Sequence, residues 1–207
     1  MKIEIKKSSK LIDYETALQF LENRVQDVIN EKRPELLWIL EHKSVFTAGT
    51  SYRENEILNK KIKLVISSRG GKITHHGPGQ KVIYFVLNLK KREKDIKKLL
   101  NNIEKSIIKT LEEFEIKSFN DKKNIGIWVN FNSKISKVAA IGIKVKRWVA
   151  YHGFCINITN DLNAYKNIIP CGITDRNVTN LNTIKKLDYK NINEKIINNF
   201  LGIINQR

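Results

Sequence analysis

Residues 69–80, R-G-G-K-I-T-H-H-G-P-G-Q, lie between two apolar runs, K-L-V-I-S at 63–67 and V-I-Y-F-V-L-N-L at 82–89. The four glycines among these twelve residues permit positive φ angles and let the backbone approach another group closely. The Val- and Ile-rich runs on both sides are typical of buried strands. A polar, glycine-rich loop held between two core strands predicts a functional site, and an ordinary turn-forming loop is the alternative.

The rest of the chain alternates short strand patterns with a few helices. Apolar residues at spacings of three and four predict helices at 13–32, 94–114 and 193–201. Further strands are predicted at 36–40, 45–49, 125–129, 138–145 and 148–158. Because strands outnumber helices and short turns join most of them, the sequence predicts an α+β fold with a mixed or mostly antiparallel sheet. Nothing marks a domain boundary, so residues 1–207 are expected to form one domain.

The formal net charge of +17 is the unusual bulk property. It has three explanations: binding to nucleic acid, an acidic protein partner, or compositional drift in a chain rich in Lys, Asn and Ile. The lysines are spread along the chain and are not interleaved with aromatic residues that could stack on bases. We therefore expect no nucleic-acid partner, while drift and an acidic protein partner both stay open.

The N-terminus and the cysteine content indicate a cytoplasmic protein. The first ten residues, M-K-I-E-I-K-K-S-S-K, lack the apolar core of a signal peptide, and no apolar run is long enough to span a membrane. Two cysteines, Cys155 and Cys171, do not form a disulfide framework in a chain of this size, so both are expected to be reduced thiols.

The two cysteines differ in their local sequence. Cys155 lies within a strand pattern, where a cysteine usually behaves as a small apolar core residue. Cys171 stands between Pro170 and Gly172, which suits a thiol at the tip of a rigid turn, and its neighbours leave open whether it is reactive or inert. A reactive thiol needs a cation nearby, because at its ordinary pKa of about 8.5 little thiolate is present at neutral pH. Lys137, at the predicted start of a strand of small residues, is one candidate, although such a lysine is usually solvated.

Metal and nucleotide sites have weak support. The four histidines, His42, His75, His76 and His152, have no carboxylate or second cysteine at ligand spacing. Adjacent His75 and His76 would also point to opposite faces of a strand. The glycine loop lacks the Gly-Lys-Ser/Thr ending of a phosphate-binding loop and the G-x-G-x-x-G order of a dinucleotide fold. We therefore expect neither a metal nor a cofactor.

Taken together, the motifs resemble the lipoyl(octanoyl) transferases, acyltransferases of the biotin/lipoate protein ligase-like superfamily. The matching segments occur in family order and span most of the chain. They are E-H-K-S-V-F-T-A-G (41–49), the loop at 69–80, K-V-A-A-I-G-I-K-V-K-R-W-V-A-Y-H-G-F (137–154), I-P-C-G-I (169–173) and V-T-N-L (178–181).

This resemblance implies roles for individual residues. The family's nucleophile falls on Cys171, and its catalytic lysine falls on Lys137, 34 residues earlier. Our own hypothesis, which the resemblance does not supply, is that backbone amides near Gly71 or Gly172 stabilise the oxyanion. The implied substrate-binding residues are Arg69, Gly70, Gly71, Lys72, Ile73, Thr74, His75, His76, Ala140, Ile141, Gly142, Gly153, Phe154 and Cys155.

Three departures from the family pattern leave the catalytic groups in place. His75 stands where the family often has an aromatic residue, Cys155 replaces a small residue, and the segment 42–44 lacks the usual prolines. Cys155 could narrow the acyl-binding space or add a second thiol beside the substrate, so it bears on the preferred chain length.

The implied reaction moves an octanoyl group from octanoyl-acyl carrier protein to a lysine of a lipoyl domain, through a thioester on the cysteine. The implied acceptors are the acyltransferase subunits of 2-oxo acid dehydrogenases and the H protein of glycine cleavage. The enzyme is expected to act as a monomer without a membrane partner. The alternatives are an ATP-dependent lipoate–protein ligase, a basic nucleic-acid-binding domain and an inactive family member.

Overall fold

The computed structural model describes residues 2–172 and 176–205, and for Cys171 the backbone alone. Within these residues the chain forms eleven strands and four α-helices. The helices are α1 (Tyr14–Ile29), α2 (Ile96–Glu112), α3 (Leu181–Ile184) and α4 (Ile192–Ile204). The strands are β1 (Ile3–Lys7), β2 (Glu35–Leu40), β3 (Val45–Ala48), β4 (Leu64–Ile66), β5 (Ile73–His76), β6 (Gln80–Asn88), β7 (Phe119–Asn120), β8 (Ile127–Phe131), β9 (Lys134–Lys146), β10 (Val149–Asn157) and β11 (Asn177–Val178).

The strands of the described residues form two sheets. The larger has the order β1-β2-β6-β10-β9-β8-β7, with β11 paired to β9, and the smaller has the order β4-β3-β5. Within the larger sheet β1 runs parallel to β2 and β11 parallel to β9, while the other pairs are antiparallel. The prediction of an α+β fold with a mixed, mostly antiparallel sheet is therefore confirmed.

Strand β6 shows why the sheet is buried on both faces. Side chains alternate along a strand, so an uninterrupted apolar run supplies both faces at once. Ile83, Phe85 and Leu87 belong to the core beneath α2 and α4. Val82 and Tyr84 belong to the core beneath α1. The large sheet thus lies between α1 on one face and the α2–α4 pair on the other.

The helices follow from capping and periodicity. The Asp13 side chain accepts a hydrogen bond from the Thr16 amide and begins α1. The Asp95 side chain likewise accepts a hydrogen bond from the Lys98 amide and begins α2. These caps satisfy amides that the first turn leaves without an intrahelical partner. The apolar stripe of α2 then packs on the sheet through its buried residues, which include Leu99, Ile103, Ile107 and Leu111.

Two sequence-based expectations need correction. The run 63–67 was expected to be a buried strand, yet β4 is an edge strand of the small sheet and Ile66 is 60% exposed. The glycine segment was expected to be a loop throughout, but Ile73–His76 pair with β3 as strand β5. Both differences arise because the small sheet is assembled from segments distant in sequence, which local periodicity does not reveal.

No helix within the described part of the chain combines the length and apolar character needed to cross a membrane.

Candidate active site

The glycine loop lies directly against strand β9. The Gly70 amide donates a hydrogen bond to the Ile143 carbonyl at 3.0 Å. A Cβ atom on Gly142 would lie 2.9 Å from the Gly70 carbonyl oxygen, closer than side-chain carbon atoms approach. Glycine at 142 therefore lets the backbone of the loop touch the sheet. This contact closes one side of a cavity.

A cavity of about 60 Å³ lies between the glycine loop, the small sheet and the α1 face of the large sheet. We call it the acyl cavity, after the group that the family resemblance implies. Its walls come from α1, the loop, β5, β6, β9 and β10, and its exposed surface is mainly apolar. The lining residues are Tyr14, Arg69, Gly71, Lys72, Ile73, Thr74, His76, Val82, Tyr84, Ala140, Ile141, Gly142, His152, Gly153, Phe154 and Cys155.

The structure brings together most of the residues expected to bind substrate. The two that do not line the acyl cavity are Gly70, which is turned toward β9, and His75. The His75 ring packs 4.8 Å from that of Phe46, and its Nε2 shares a hydrogen bond with the Ser44 hydroxyl. Since neighbouring side chains of a strand point to opposite faces, His76 faces the cavity and His75 faces away.

Sequence reasoning missed four lining residues, which are Tyr14, Val82, Tyr84 and His152. The alternation along β6 could have placed Val82 and Tyr84 on one face, although not which face holds the cavity. Tyr14 is the first residue of α1, and its place here is set by how that helix packs. His152 has a positive φ of 65°, which its own sequence does not indicate.

The histidines around the cavity are held neutral by burial. His76 donates from Nδ1 to the Gln80 side-chain oxygen at 2.6 Å, and desolvation places its pKa well below the usual 6.5. Desolvation lowers the pKa of His152 to about 3. Neutral imidazoles add no charge to the cavity wall, whose cationic lining residues are Arg69 and Lys72.

Lys137 lines a second, smaller space, which we call the lysine chamber. It has a volume of about 10 Å³ and is lined by Thr74, Lys137, Ala140, Cys155, Asn157, Tyr165, Pro170 and Val178. Thr74, Ala140 and Cys155 also line the acyl cavity. The two spaces therefore adjoin, and Cys155 stands where they meet. Cys155 is buried in the α1-side core as expected, and it also faces the site.

The amine of Lys137 is buried and held in place. The residue is only 6% exposed, and its Nζ donates to the Ile125 carbonyl at 3.0 Å. The backbone at Gly126 approaches so closely that a Cβ there would lie 3.1 Å from Lys137 Cε. The expectation that Lys137 begins its strand was wrong, because β9 begins at Lys134. The longer strand carries Lys137 into the interior.

The turn carrying Cys171 is anchored on both sides. The Cys171 side chain and residues 173–175 lie outside the described residues, but Pro170–Gly172 form a 3-10 turn. The Ile169 amide donates to the Glu56 carbonyl at 2.8 Å, upstream of the turn. Downstream, the Thr179 amide donates to the Lys137 carbonyl at 2.9 Å. Pro170 lines the lysine chamber, so the turn lies beside Lys137.

Gly172 packs against the ion pair between Lys72 and Glu56. The Lys72 amine and a Glu56 carboxylate oxygen are 2.5 Å apart, and a Cβ on Gly172 would lie 2.7 Å from that oxygen. Its φ of 66° also favours glycine. The Gly172 amide already donates to the Ile169 carbonyl, which argues against it as the oxyanion donor. Gly71, which lines the acyl cavity, is the remaining candidate.

A mainly apolar cavity thus adjoins a space lined by the buried Lys137. The chain belongs to the family described as the lipoyl protein ligase A/B catalytic domain, whose family model matches residues 13–201. The resemblance predicted from the motifs is thereby confirmed.

Curated relatives match most of the chain. An octanoyltransferase of Anaplasma marginale (strain Florida) is 42% identical over 181 residues, covering 86% of this chain and 85% of the relative. An octanoyltransferase of Rickettsia canadensis is 46% identical over 84% of this chain and 85% of its own length. That of Wolbachia pipientis wMel is 44% identical, with the same coverage.

Solved structures share the fold at low identity. A bipartite lipoate protein ligase from Thermoplasma acidophilum has a TM-score of 0.74 at 12% identity, covering 99% of this chain and 84% of that one. A lipoate-protein ligase A bound with ATP has a TM-score of 0.73 at 13% identity, covering 97% and 85%. At such identity these likenesses establish the fold alone.

Proposed function

We propose that this chain is an octanoyltransferase, a single catalytic domain spanning residues 1–207. It moves an octanoyl group from acyl carrier protein to a lysine of a lipoyl domain through a thioester on Cys171. The observation that carries this proposal is the contiguity of three features: the acyl cavity, the buried Lys137 amine and the Pro170 wall beside Cys171. The predicted enzyme class, an acyltransferase, is confirmed by the octanoyltransferase relatives.

In the first step the Cys171 thiolate attacks the carbonyl carbon of the octanoyl thioester. A new sulfur–carbon bond forms, and the bond to the carrier sulfur breaks. The leaving carrier thiolate takes a proton from the Lys137 ammonium. One thioester replaces another, so the step is close to thermoneutral and needs no ATP. Before reaction, the ammonium favours the thiolate because an opposite charge nearby lowers a thiol pKa.

In the second step the acceptor lysine attacks the acyl-enzyme. Its amine must be neutral to form the amide bond, and Lys137, which lost its proton in the first step, is placed to take the amine proton. The Cys171 thiolate leaves, and the starting ion pair is restored. A thioester is converted to an amide, so this step runs downhill and draws the sequence forward.

The acyl cavity has an apolar wall that suits an aliphatic chain, and its volume of about 60 Å³ has to widen to hold a whole octanoyl chain. Burying seven aliphatic carbons contributes roughly 5–6 kcal/mol at about 0.8 kcal/mol each. The wall toward β9 is made of Ala140, Ile141 and Gly142, and the opposite wall includes Ile73. Ala140 and Gly142 take up little space on this wall, and the neutral histidines add no charge to it.

The acceptors that we propose are the lipoyl domains of 2-oxo acid dehydrogenase acyltransferase subunits and the H protein of glycine cleavage, each approached by a monomeric enzyme. Acyl carrier proteins are acidic, as are many lipoyl domains. The net charge of +17 would therefore speed association with them in a salt-sensitive way.

An ATP-dependent lipoate–protein ligase is less well supported as an alternative. The ligases share the fold with this chain at 12–13% identity, whereas the relatives at 42–46% identity are octanoyltransferases. A ligase also needs no cysteine nucleophile, so the I-P-C-G-I motif at 169–173 would be left without a role.

The test is intact-protein mass spectrometry after mixing the protein with octanoyl-acyl carrier protein in the absence of ATP. We expect an octanoyl adduct that hydroxylamine removes, that Cys171→Ser lacks and that Cys155→Ser keeps. An adduct on Cys155 alone would reassign the nucleophile. No adduct, with modification of a lipoyl domain only when ATP and free fatty acid are supplied, would overturn the transferase in favour of the ligase.

A further inference from the structure

An open groove leads from the lysine chamber to the protein surface. The groove has a volume of about 690 Å³ and shares Tyr165, Pro170 and Val178 with the chamber. The lysine chamber therefore adjoins the acyl cavity on one side and the groove on the other, and Lys137 lines the chamber between them. A thioester held across these spaces would place its acyl chain inward and its thiol-bearing group outward, along the groove.

The groove is lined by cations and by no acidic residue within the described chain. Its basic side chains are Lys134 at the start of β9, Lys166 in the 3-10 turn Asn163–Asn167, and Arg176. Lys134 and Lys166 are both exposed. Arg176 donates to an Asp121 carboxylate oxygen at 2.7 Å, which partly offsets its charge. The two lysines, on separate segments, thus provide most of the positive charge that a ligand in the groove would meet.

Where it meets the lysine chamber, the groove is lined by Tyr165, Pro170 and Val178. Leu162 and Phe131 add further apolar surface, and Phe131 lies beside Lys134. A ligand that fits has a slender, mostly uncharged arm toward the chamber and an anionic group farther out. The pantetheine arm of an acyl carrier protein has this chemistry, since its thiol carries the acyl group and its outer end carries a phosphate.

We propose that this groove binds the phosphopantetheine arm of the donor and that Lys134 and Lys166 bind its phosphate. The inference rests on the proposed function, because it assumes a thioester donor that reacts at Cys171. It adds the residues that recognise the carrier arm. Charge complementarity and continuity with the lysine chamber support this occupant. An acceptor lipoyl domain would need only its lysine side chain to enter, and that side chain is a cation.

The experiment compares two small donors that differ by one group, octanoyl-pantetheine and octanoyl-4′-phosphopantetheine. The rate of Cys171 acylation is measured with each donor by intact mass spectrometry, and the readout is the ratio of the two rates. The variant is Lys134→Met/Lys166→Met. Its control is Lys97→Met/Lys105→Met, which removes the same charge from exposed positions on α2.

We expect the wild type and the control to react roughly tenfold faster with the phosphorylated donor, as one good ion contact would give. In the groove variant this ratio should fall toward one. Added salt should lower the ratio in the wild type and change it little in the groove variant.

One result would overturn the inference: a groove variant that keeps the wild-type ratio, even if both of its rates fall, because the lysines would then not bind the phosphate. If that variant also transferred the octanoyl group more slowly from the pre-formed acyl-enzyme to a lipoyl domain, the groove would be assigned to the acceptor. Failure of the proposed function is distinct, since neither donor would then acylate Cys171 in any variant.

Discussion

The amine nitrogen of Lys137 lies 4.6 Å from the centre of the Trp128 ring. The guanidinium carbon of Arg176 lies 4.7 Å from the same ring. Trp128 is itself fixed, since it is 1% exposed and its Nε1 donates to the Asn124 carbonyl at 2.9 Å. A cation beside a buried aromatic face gains about 0.5–2 kcal/mol. The position of the Lys137 amine is therefore set by the segment that leads into β8.

Replacing Lys137 by methionine should slow acylation of Cys171 by about 10²- to 10⁴-fold at pH 7, the usual contribution of one proton-transfer group. Methionine keeps an unbranched chain but removes the cation that favours the thiolate. The defect in acylation should shrink as the pH rises past about 8.5, where a free thiol ionises unaided. The measurement is the acylation rate between pH 6 and 10.

Lys137→Arg is the matched control for charge. Arginine keeps the positive charge but does not deprotonate, so acylation should be partly retained while transfer to the acceptor amine is lost. A Lys137→Met defect that stays constant up to pH 10 would exclude thiolate stabilisation as the role of Lys137.

Gly126→Ala should displace the same amine without removing it. The φ of Gly126 is 132°, and an added Cβ would lie 2.8 Å from the Ala139 carbonyl oxygen and 3.1 Å from Lys137 Cε. Strain of this kind costs about 1–3 kcal/mol. We expect that loss in the free energy of unfolding, measured in urea, together with at least a roughly tenfold slower acylation of Cys171.

Gly202→Ala is the control for this substitution. Gly202 lies within α4, and nothing is within 4 Å of a Cβ built there. Alanine should stabilise the helix by about 0.5–1 kcal/mol and leave acylation unchanged. If Gly126→Ala behaved like Gly202→Ala, the close approach of residue 126 would not position Lys137.

The sequence predicted the core of the fold well, because core strands and helices carry their own periodicity. The apolar run at 82–89 became the central strand β6, and the stripe at 94–114 became α2, Ile96–Glu112. Strand β1, at Ile3–Lys7, was missed because its lysines obscure the alternation; among the described strands it pairs with β2 alone.

Most residues that line the candidate site were also predicted, but from sequence motifs rather than from periodicity. Local patterns indicated the glycine segment 69–80, which contains β5, and offered Lys137 as one candidate cation. The family motifs added the lining residues of β9 and β10. The burial of Lys137 depends on Ile125 and Trp128, and the lining role of Tyr14 depends on the packing of α1. Such contacts depend on how β8 pairs with β9 and on how α1 packs against the sheet, which the periodicity of a single segment does not reveal.

Substitutions at Cys155 should change the preferred acyl length. This side chain lies where the acyl cavity and the lysine chamber meet. Cys155→Leu adds volume at a buried position, which costs about 1–3 kcal/mol in packing and should block the passage of a long chain. We expect the ratio of octanoyl to butyryl transfer to fall roughly tenfold, and Cys155→Ala to keep or raise that ratio. Competition between octanoyl and butyryl thioesters measures this ratio. An unchanged ratio in Cys155→Leu would show that the acyl chain does not pass Cys155.

The free energy of unfolding should fall as the pH drops from 7.5 to 5, and part of this fall should come from His42. This side chain is fully buried, donates from Nδ1 to the Ile12 carbonyl and accepts from the Tyr84 hydroxyl, both at 2.8 Å. Desolvation lowers its folded-state pKa to about 4, below the unfolded value of about 6.5. The unfolded chain therefore binds the proton first, and His42 alone removes about 2 kcal/mol of unfolding free energy over this range. Urea titrations at several pH values measure the slope. His42→Gln should reduce that slope by up to one proton, and an unreduced slope would show that His42 does not titrate this way.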